Sequence, residues 1–185
     1  MLKNGHLYKD QIEQEHYRVW YDDRYKFYFG SYRNTPWFGN ENQGDKDMRV
    51  FASVDPKYRD VIGMITYHVD RISNGCAQFG IINYYIDDAR KQFIFGRDLA
   101  QAIDDIFVKF NHHRLEWWVI QGNPIEKSYD KFTKMLGGRV IGVLTDCEKI
   151  DDRYYSSKLY EIMQDDYMKN RHKIMRGKRD GKQND

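Results

Sequence analysis

The hydrophobic pattern of the chain begins with a helical period and then becomes strand-like. Residues 12–29 mix charged and aromatic side chains at roughly helical spacing, which predicts a first helix. Three short β-rich stretches follow, at residues 48–54, 61–69 and 77–86. Between the last two, Asn74 and Gly75 are a strong signal for a hairpin turn. The pattern therefore predicts one helix followed by an antiparallel meander of three strands.

The helical period then returns. From Leu99 to Phe110, apolar residues recur at i, i+3 and i+4 with polar residues between them, as in a helix that buries one face. Residues 115–121 are predominantly apolar and predict a buried strand. Two more strands are predicted later in the chain, at residues 139–145 and 154–163.

The helix that follows the buried strand has clear boundary signals. Asn123 is a favoured N-cap residue, Pro124 suits the first helical position, and Glu126 is placed to bond back to the cap. Gly137 and Gly138 predict its end, because glycine readily adopts the left-handed backbone that follows many helices.

The order of these elements indicates the fold class. Antiparallel strands come first and a strand–helix–strand unit comes later, which predicts an α/β (α+β) domain with a mixed central β-sheet flanked by helices. With 185 residues the chain has the size of a single domain, and we assign residues 1–168 to it. Residues 169–185 are polar and basic and are predicted to be a disordered tail. A ligand crevice is expected at the carboxyl ends of the strands.

Charge distinguishes the tail from the rest of the chain. The net charge is +2, but residues 169–185 hold seven Lys or Arg and two Asp, so the remaining residues are mildly acidic. Such a tail either binds nucleic acid through its phosphates or simply favours solubility, and both interpretations stay open. Two cysteines without metal-ligand spacing predict no metal site. The lack of a long apolar run or an apolar leader predicts a cytoplasmic protein without a membrane segment.

Aromatic residues make up 16% of the chain, and 15 residues are tyrosines. Because tyrosine combines an apolar ring with a polar hydroxyl, this excess is typical of a ligand groove, a subunit interface or a nucleic-acid platform. A bias in genome composition would produce the same excess.

Four motifs together resemble the GNAT (Gcn5-related) N-acetyltransferase family. They are AQFGI at 77–81, a glycine-containing turn at 91–96, QGNP before the next helix, and MLGGRVIGV after it. The similarity covers about residues 48–163 and is nearest to the branch that acetylates ribosomal proteins. It implies a splayed mixed sheet that holds acetyl-CoA, the co-substrate, and transfers the acetyl group to a primary amine. The strands at 77–86 and 115–121 would hold the thioester, and residues 12–38 with the last two strands would border the amine.

The resemblance places the cofactor site at residues 91–99, where a turn into a helix N-terminus would suit a pyrophosphate. Alignment on Gly96 puts Ile94 where the family pattern has its first glycine, and a Cβ there hinders close approach of a phosphate. Either the turn still binds coenzyme A through its backbone, or the pocket has lost acetyl-CoA and serves as a binding surface. Under the first hypothesis the cofactor-binding residues here are Ile82, Phe93, Ile94, Phe95, Gly96 and Arg97.

The helix after Asn123 supplies the other candidates. By resemblance, Asn123 bonds the pantetheine arm and Ser128 lines it, although Asn123 is equally explained as a helix cap. The family's catalytic tyrosine falls on Phe132, which cannot donate a proton. Tyr129, one helical turn earlier, is therefore the candidate catalytic residue, as general acid, and core packing is its alternative role.

These features predict an acyl-CoA-dependent N-acyltransferase. Its acceptor would be a protein N-terminus, a lysine or a small amine such as a polyamine. The alternative is a degenerate member that binds a partner without transferase activity, in association with nucleic acid or ribosomes through the basic tail. Nucleic acid is the less favoured partner of the enzyme, and the sequence is compatible with a homodimer.

Overall fold

A computed structural model of the chain describes residues 1–29, 36 and 47–175. Seven strands are found in these residues: β1 (Leu2–Asn4), β2 (Met48–Val54), β3 (Val61–Asp70), β4 (Gly75–Asn83), β5 (Arg114–Ile120), β6 (Arg139–Ile150) and β7 (Arg153–Met163). They form one sheet in the order β1-β2-β3-β4-β5-β7-β6. Only β4 and β5 pair in parallel, so the predicted mixed sheet is confirmed.

Helices flank the sheet, as predicted. In the described residues they are α1 (Lys9–Val19), α2 (Lys26–Phe29), α3 (Ala89–Asp104), α4 (Glu126–Met135), α5 (Gln164–Asn170) and α6 (His172–Met175). The single helix predicted at 12–29 is wrong, because α1 ends at Val19 and Asp22 caps a short 3₁₀ turn by accepting a hydrogen bond from the Arg24 amide at 3.0 Å.

Two hydrophobic cores lie on opposite faces of the sheet. One is shared with α3, α4 and α5 and includes Ile103, Leu115 and Tyr160. The other is shared with α1 and α2 and includes Ile12 and Ile82. The sheet is therefore the middle layer of three, and it separates the two faces on which ligands could approach it.

The hairpin predicted at Asn74 is confirmed. β3 and β4 pair antiparallel, and Asn74 adopts a φ of 53° in the turn between them. This turn is also tied to the residues just before β5. The Asn74 side-chain amide donates to the Asn111 carbonyl at 2.7 Å, its carbonyl accepts from the His113 amide at 2.7 Å, and its Oδ1 lies 3.2 Å from Nδ1 of His112.

β4 and β5 pair only where they begin. Gly75 pairs with Arg114 and Cys76 with Leu115, and the parallel ladder ends there. The carboxyl ends of these two strands are consequently not joined to each other.

A β-bulge on β4 explains why the strands separate. Thr66 of β3 pairs with Gly80, whereas His68 pairs with Ala77, so β4 has one extra residue in this interval. A bulge bends its strand and increases the local twist. Because the extra residue lies between Ala77 and Gly80, just past Cys76, β4 turns away from β5 close to the point where their pairing ends.

The C-terminal helices correct the predicted start of the disordered tail. Residues 169–175 are mostly helical, and the helices are anchored on α3. Tyr167 is fully buried and donates to Oδ1 of Asp104 at 2.8 Å, and Arg171 bonds both oxygens of Asp104 at 3.1 Å. These contacts hold residues 169–175 against α3, although their polar composition predicted that they belong to the disordered tail. The rest of that prediction, residues 176–185, lies outside the described residues.

Two further observations concern the described residues as a set. None of their helices has the length and apolar character needed to cross a membrane. They also contain no group of three or more His, Cys, Asp or Glu side chains arranged to hold a metal ion.

Candidate active site

A cavity of about 220 Å³ occupies the crevice between β4 and β5, roofed by α3 and α4. It is lined by Phe79, Ile81, Leu99, Ile103, Leu115, Trp117, Ile125, Ser128, Tyr129 and Phe132. Only Ser128 and Tyr129 among these carry hydroxyl groups. The cavity therefore fits a mostly apolar chain that needs few polar contacts from side chains.

Polar contacts are available from the backbone of the two strands. Past Cys76 and Leu115, no described strand pairs with the facing edges of β4 and β5. Backbone amides and carbonyls on such an edge can bond the amides of an extended ligand as a further strand would. The crevice thus combines apolar walls with polar rims.

α4 forms the side of the cavity that carries the hydroxyls. It begins at Glu126 rather than at Pro124, because Asn123 closes a turn just before the helix by accepting from the Ile125 amide at 3.1 Å. Asn123 therefore lies in this turn and not in the cavity wall. The predicted end of the helix is confirmed, since Gly137 follows it with a φ of 83°.

Tyr129 is held in the crevice by two other rings. Its ring meets those of Trp117 and Tyr160 edge-on, with 6.2 Å between centroids in both cases, while Trp117 and Tyr160 stack at 5.3 Å. Burial raises the pKa of the Tyr129 hydroxyl, so it is protonated at neutral pH. Its hydroxyl bonds no other described residue, so the proton is free for a ligand.

Lys158 of β7 fixes α4 against the sheet. Its ammonium lies 2.5 Å from Glu126 and 3.1 Å from Asp130, and the Tyr160 hydroxyl donates to Asp130 at 2.8 Å. The hydrogen bond to Glu126 raises the pKa of Lys158, and the same bond lowers the pKa of Glu126. The hydrogen bond from the Tyr160 hydroxyl lowers the pKa of Asp130, and the bond from Lys158 lowers it further. This cluster, the lysine clamp, holds the helix that carries Ser128 and Tyr129.

The turn predicted at residues 91–96 is wrong, because these residues lie inside α3. The helix begins at Ala89, and Asp88 caps it by accepting from the Lys91 amide at 2.9 Å. Within a helix, each amide bonds the carbonyl four residues earlier. The amides of Phe95, Gly96 and Arg97 are therefore used by the helix, and the free amides of α3 lie in its first turn beside the Asp88 carboxylate.

Three of the candidate cofactor residues belong to the cores. Ile94 and Phe95 are buried on α3, and the Phe95 ring packs so closely on Gly63 of β3 that a Cβ there would overlap it. Ile82 is buried in the core on the α1 side of the sheet. None of the three lines the cavity.

The other three candidates on α3 face outward. Phe93 is 72% exposed, Arg97 is exposed and bonds Asp98 at 3.2 Å, and an added Cβ at Gly96 would meet nothing within 4 Å. Gly96 is consequently not required for close packing. Of the cofactor candidates and Tyr129, the structure brings only Ser128 and Tyr129 together in the cavity wall.

The N-terminal region borders the carboxyl end of β5, where the crevice is open. Phe27 of α2 meets Tyr155 of β7 edge-on at 5.5 Å, and a Cβ on Gly122, after β5, would lie 3.8 Å from the Phe27 ring. The placement of α2 is thus compatible with the acceptor side expected there. Apart from Pro36, residues 30–38 of that prediction lie outside the described residues, so the acceptor wall stays a prediction.

Sequence patterns missed the apolar walls on β4, β5 and α3. Leu99 and Ile103 belong to the recognised helical stripe, and Leu115 and Trp117 alternate along the recognised strand. These periodicities signalled burial but not that the residues line one shared cavity. The lysine clamp joins residues from two separate elements and had no sequence signal.

No family model and no curated protein sequence matches the chain, but solved structures do. Spermidine N-acetyltransferase from Vibrio cholerae, in complex with CoA and spermine, is 21% identical, with a TM-score of 0.68 over 91% of this chain and 97% of that chain. A GCN5-related N-acetyltransferase from Brucella melitensis is 14% identical, with a TM-score of 0.66 over 94% and 80%. The chain has the fold of the Gcn5-related N-acetyltransferases.

Proposed function

We propose that this protein is an N-acetyltransferase that transfers an acetyl group from acetyl-CoA to a primary amine. The observation that carries the proposal is the splayed crevice between β4 and β5, with its apolar cavity and open strand edges. A protein of the same fold, the Vibrio cholerae spermidine N-acetyltransferase, is crystallised with CoA and spermine. This supports a thioester donor in the crevice and an amine acceptor beside it.

The pantetheine arm of acetyl-CoA matches the crevice chemically. Its methylene groups suit the apolar cavity, and its two amides suit the backbone rims of β4 and β5. Ser128 would add one hydroxyl contact to this arm. Asn123 would act from the turn before α4, as a support of that helix.

The nucleotide end has fewer suitable partners. Asp88 places a carboxylate beside the free amides of α3, and Arg90 is paired with Asp55. The half-buried Lys91 and the exposed Arg97 would therefore supply the charge for the phosphates. We infer that the pantetheine arm contributes most of the affinity for acetyl-CoA.

The proposed chemistry needs one proton donor in the crevice. The neutral amine attacks the thioester carbonyl, a C–N bond forms and the C–S bond breaks. Tyr129 donates its proton to the departing thiolate. The attacking nitrogen loses a proton to solvent, and Tyr129 regains one from solvent. Holding the amine against the thioester supplies much of the remaining acceleration.

The acceptor is proposed at the level of a primary amine. A polyamine is supported by the spermine in the Vibrio cholerae structure, and a protein N-terminus or lysine by the resemblance to the branch that acetylates ribosomal proteins. The mildly acidic body of the chain suits any of these cations.

Calorimetric titration of acetyl-CoA tests the proposal. Ser128→Trp puts an indole into the cavity and is expected to weaken binding by about 100-fold or more, because the ligand and the ring compete for one volume. Ser128→Ala, the matched control, removes a single hydroxyl and should cost less than about tenfold.

Thermal unfolding of both variants checks that each is folded. If wild type shows no binding at millimolar acetyl-CoA, the transferase proposal is wrong and the non-catalytic alternative replaces it. Equal affinity in Ser128→Trp and wild type would place the donor outside this crevice.

A further inference from the structure

The outer side of α4 carries a row of uncompensated positive charges. Lys127, Lys131 and Lys134 are all exposed, and their i, i+4, i+7 spacing places them on one face of the helix. At 1.5 Å per residue the row is about 10 Å long. None of the three makes a hydrogen bond or an ion pair with any residue in the described stretches. These three residues are called the lysine face.

The acids of α4 do not neutralise the lysine face, because they are directed elsewhere. Glu126 and Asp130 are both bound by Lys158 of β7 in the lysine clamp. α4 therefore sorts its charges, with its carboxylates toward the sheet and its free ammonium groups toward solvent.

The neighbouring helices add no net negative charge to this side of the molecule. Lys173 of α6 donates to the Met135 carbonyl at the end of α4, at 3.2 Å, so α6 lies against the last turn of α4. Asp165 and Asp166 in the first turn of α5 are matched in number by Lys169 and Lys173. The three charges of the lysine face thus remain in excess.

The chain leaves the described residues beside the lysine face. α6 ends at Met175, one turn from the contact with α4, and the sequence that follows is again basic. It contains Arg176, Lys178, Arg179 and Lys182 against Asp180 and Asp185. The lysine face is therefore a local excess of positive charge in a protein whose residues before 169 are mildly acidic.

We propose that the lysine face binds the phosphate backbone of a nucleic acid, at a surface separate from the crevice. A duplex carries about one charge per 1.7 Å of axis, so a row of this length meets several phosphates. Contacts of this kind are independent of sequence. A membrane is a poorer partner, since the aromatic side chains of α4, Tyr129 and Phe132, line the cavity instead of standing beside the lysine face.

Fluorescence anisotropy of the full chain with a labelled duplex of about 20 base pairs, over a series of salt concentrations, tests this proposal. Replacing the lysine face by glutamine (Lys127→Gln, Lys131→Gln and Lys134→Gln together) retains good helix formers. We expect affinity to fall at least tenfold. The slope of log K against log salt should decrease by about 2.7, or about 0.9 for each phosphate that the variant no longer neutralises.

A matched control removes three lysines elsewhere, with Lys3→Gln, Lys57→Gln and Lys109→Gln together. This variant should retain affinity within about threefold and most of the salt slope. The proposal is overturned if wild type does not bind the duplex at low salt, or if the lysine-face variant binds like wild type. It is equally overturned if polyglutamate competes as well as the duplex, or if only anionic vesicles are bound.

Discussion

At the scale of single residues, Tyr129 offers a proton in the wall of the crevice. Tyr129→Phe removes that proton but keeps the ring packed against Trp117 and Tyr160. We expect kcat for acetyl transfer to spermine to fall by about 10- to 100-fold, because a general acid typically contributes at least this much. The dissociation constant of acetyl-CoA should change by less than about threefold. Initial rates and calorimetry on the same preparation measure the two quantities.

Tyr58→Phe is the control for this substitution, because Tyr58 lies between β2 and β3, is 58% exposed and does not line the cavity. Its kcat should equal that of wild type. A wild-type kcat in Tyr129→Phe would remove the general acid and leave Tyr129 as a packing residue.

Local backbone chemistry decided which residues could be predicted from sequence. Asn74 and Gly137 occupy left-handed backbone that their residue types favour, so the hairpin and the end of α4 were both predictable. Phe95 is the opposite case. Its neighbour Gly63 is on another element, and no nearby residue indicates that the ring is buried there.

At the scale of elements, the lysine clamp determines where α4 sits. Lys158→Met leaves Glu126 and Asp130 without their shared cation, and the Lys158 side chain is only 16% exposed. We expect the free energy of unfolding to fall by about 1 to 3 kcal/mol at pH 7. Urea denaturation measures it. Lys131→Met, at an exposed lysine that bonds no other described residue, should change it by less than about 0.5 kcal/mol.

The pH dependence of this destabilisation has a defined sign. The pKa values of Glu126 and Asp130 are lowered in the folded protein. Their stabilisation is complete above the ordinary carboxyl range near about pH 4 and is lost as pH falls through the lowered values. The difference between wild type and Lys158→Met should therefore be largest at pH 7 and shrink toward pH 3; a constant difference would show that the clamp acts through packing alone.

Element types were easier to predict than element boundaries. The stripe from Leu99 to Phe110 identified α3, but the helix begins at Ala89 because the Asp88 cap starts it upstream of the periodic region. The helix predicted at 12–29 fails for a similar reason, as its aromatic residues continue across the break that Asp22 caps. The capping residues determine where these helices begin and end, and the spacing of apolar residues does not indicate those positions.

At the scale of the whole molecule, the sheet is two halves joined at one narrow base. Beside the two backbone pairs of β4 and β5, His112 holds the junction through its contact with Asn74. Burial lowers the pKa of His112, and the positive charge of Arg49 lowers it further. A histidine with a lowered folded pKa contributes its full stability above the unfolded value of about 6.5 and loses it as pH falls below that value.

His112→Gln should remove this pH dependence. We expect wild type to lose more stability than the variant between pH 7 and pH 5, as measured by urea denaturation at both values. His113→Gln, at the exposed neighbouring residue, is the control and should follow wild type. Parallel pH profiles for wild type and His112→Gln would exclude His112 as a titrating group of the junction.

The mixed sheet and its flanking helices were predictable because strand and helix periods are local. The separation of β4 from β5 was not predictable, because it depends on which residues of these two strands pair, and the strands are far apart in the sequence. The same limit applies to the cavity, whose walls come from four elements.

The extra residue in β4 changes the course of the strand but not the side chains that it turns toward the cavity. Cys76 and Phe79 are three residues apart, yet both belong to the core under α3, and Ile81 packs against the same core, because the bulge absorbs one residue between them. Deleting one residue between Cys76 and Phe79 would bring the two to an i, i+2 spacing, and strict alternation would still place them on one face. Phe79 and Ile81 would therefore keep facing the cavity, while the bend that carries β4 away from β5 would be lost. The bulge thus contributes the width of the crevice, and the alternation of the strand contributes its lining.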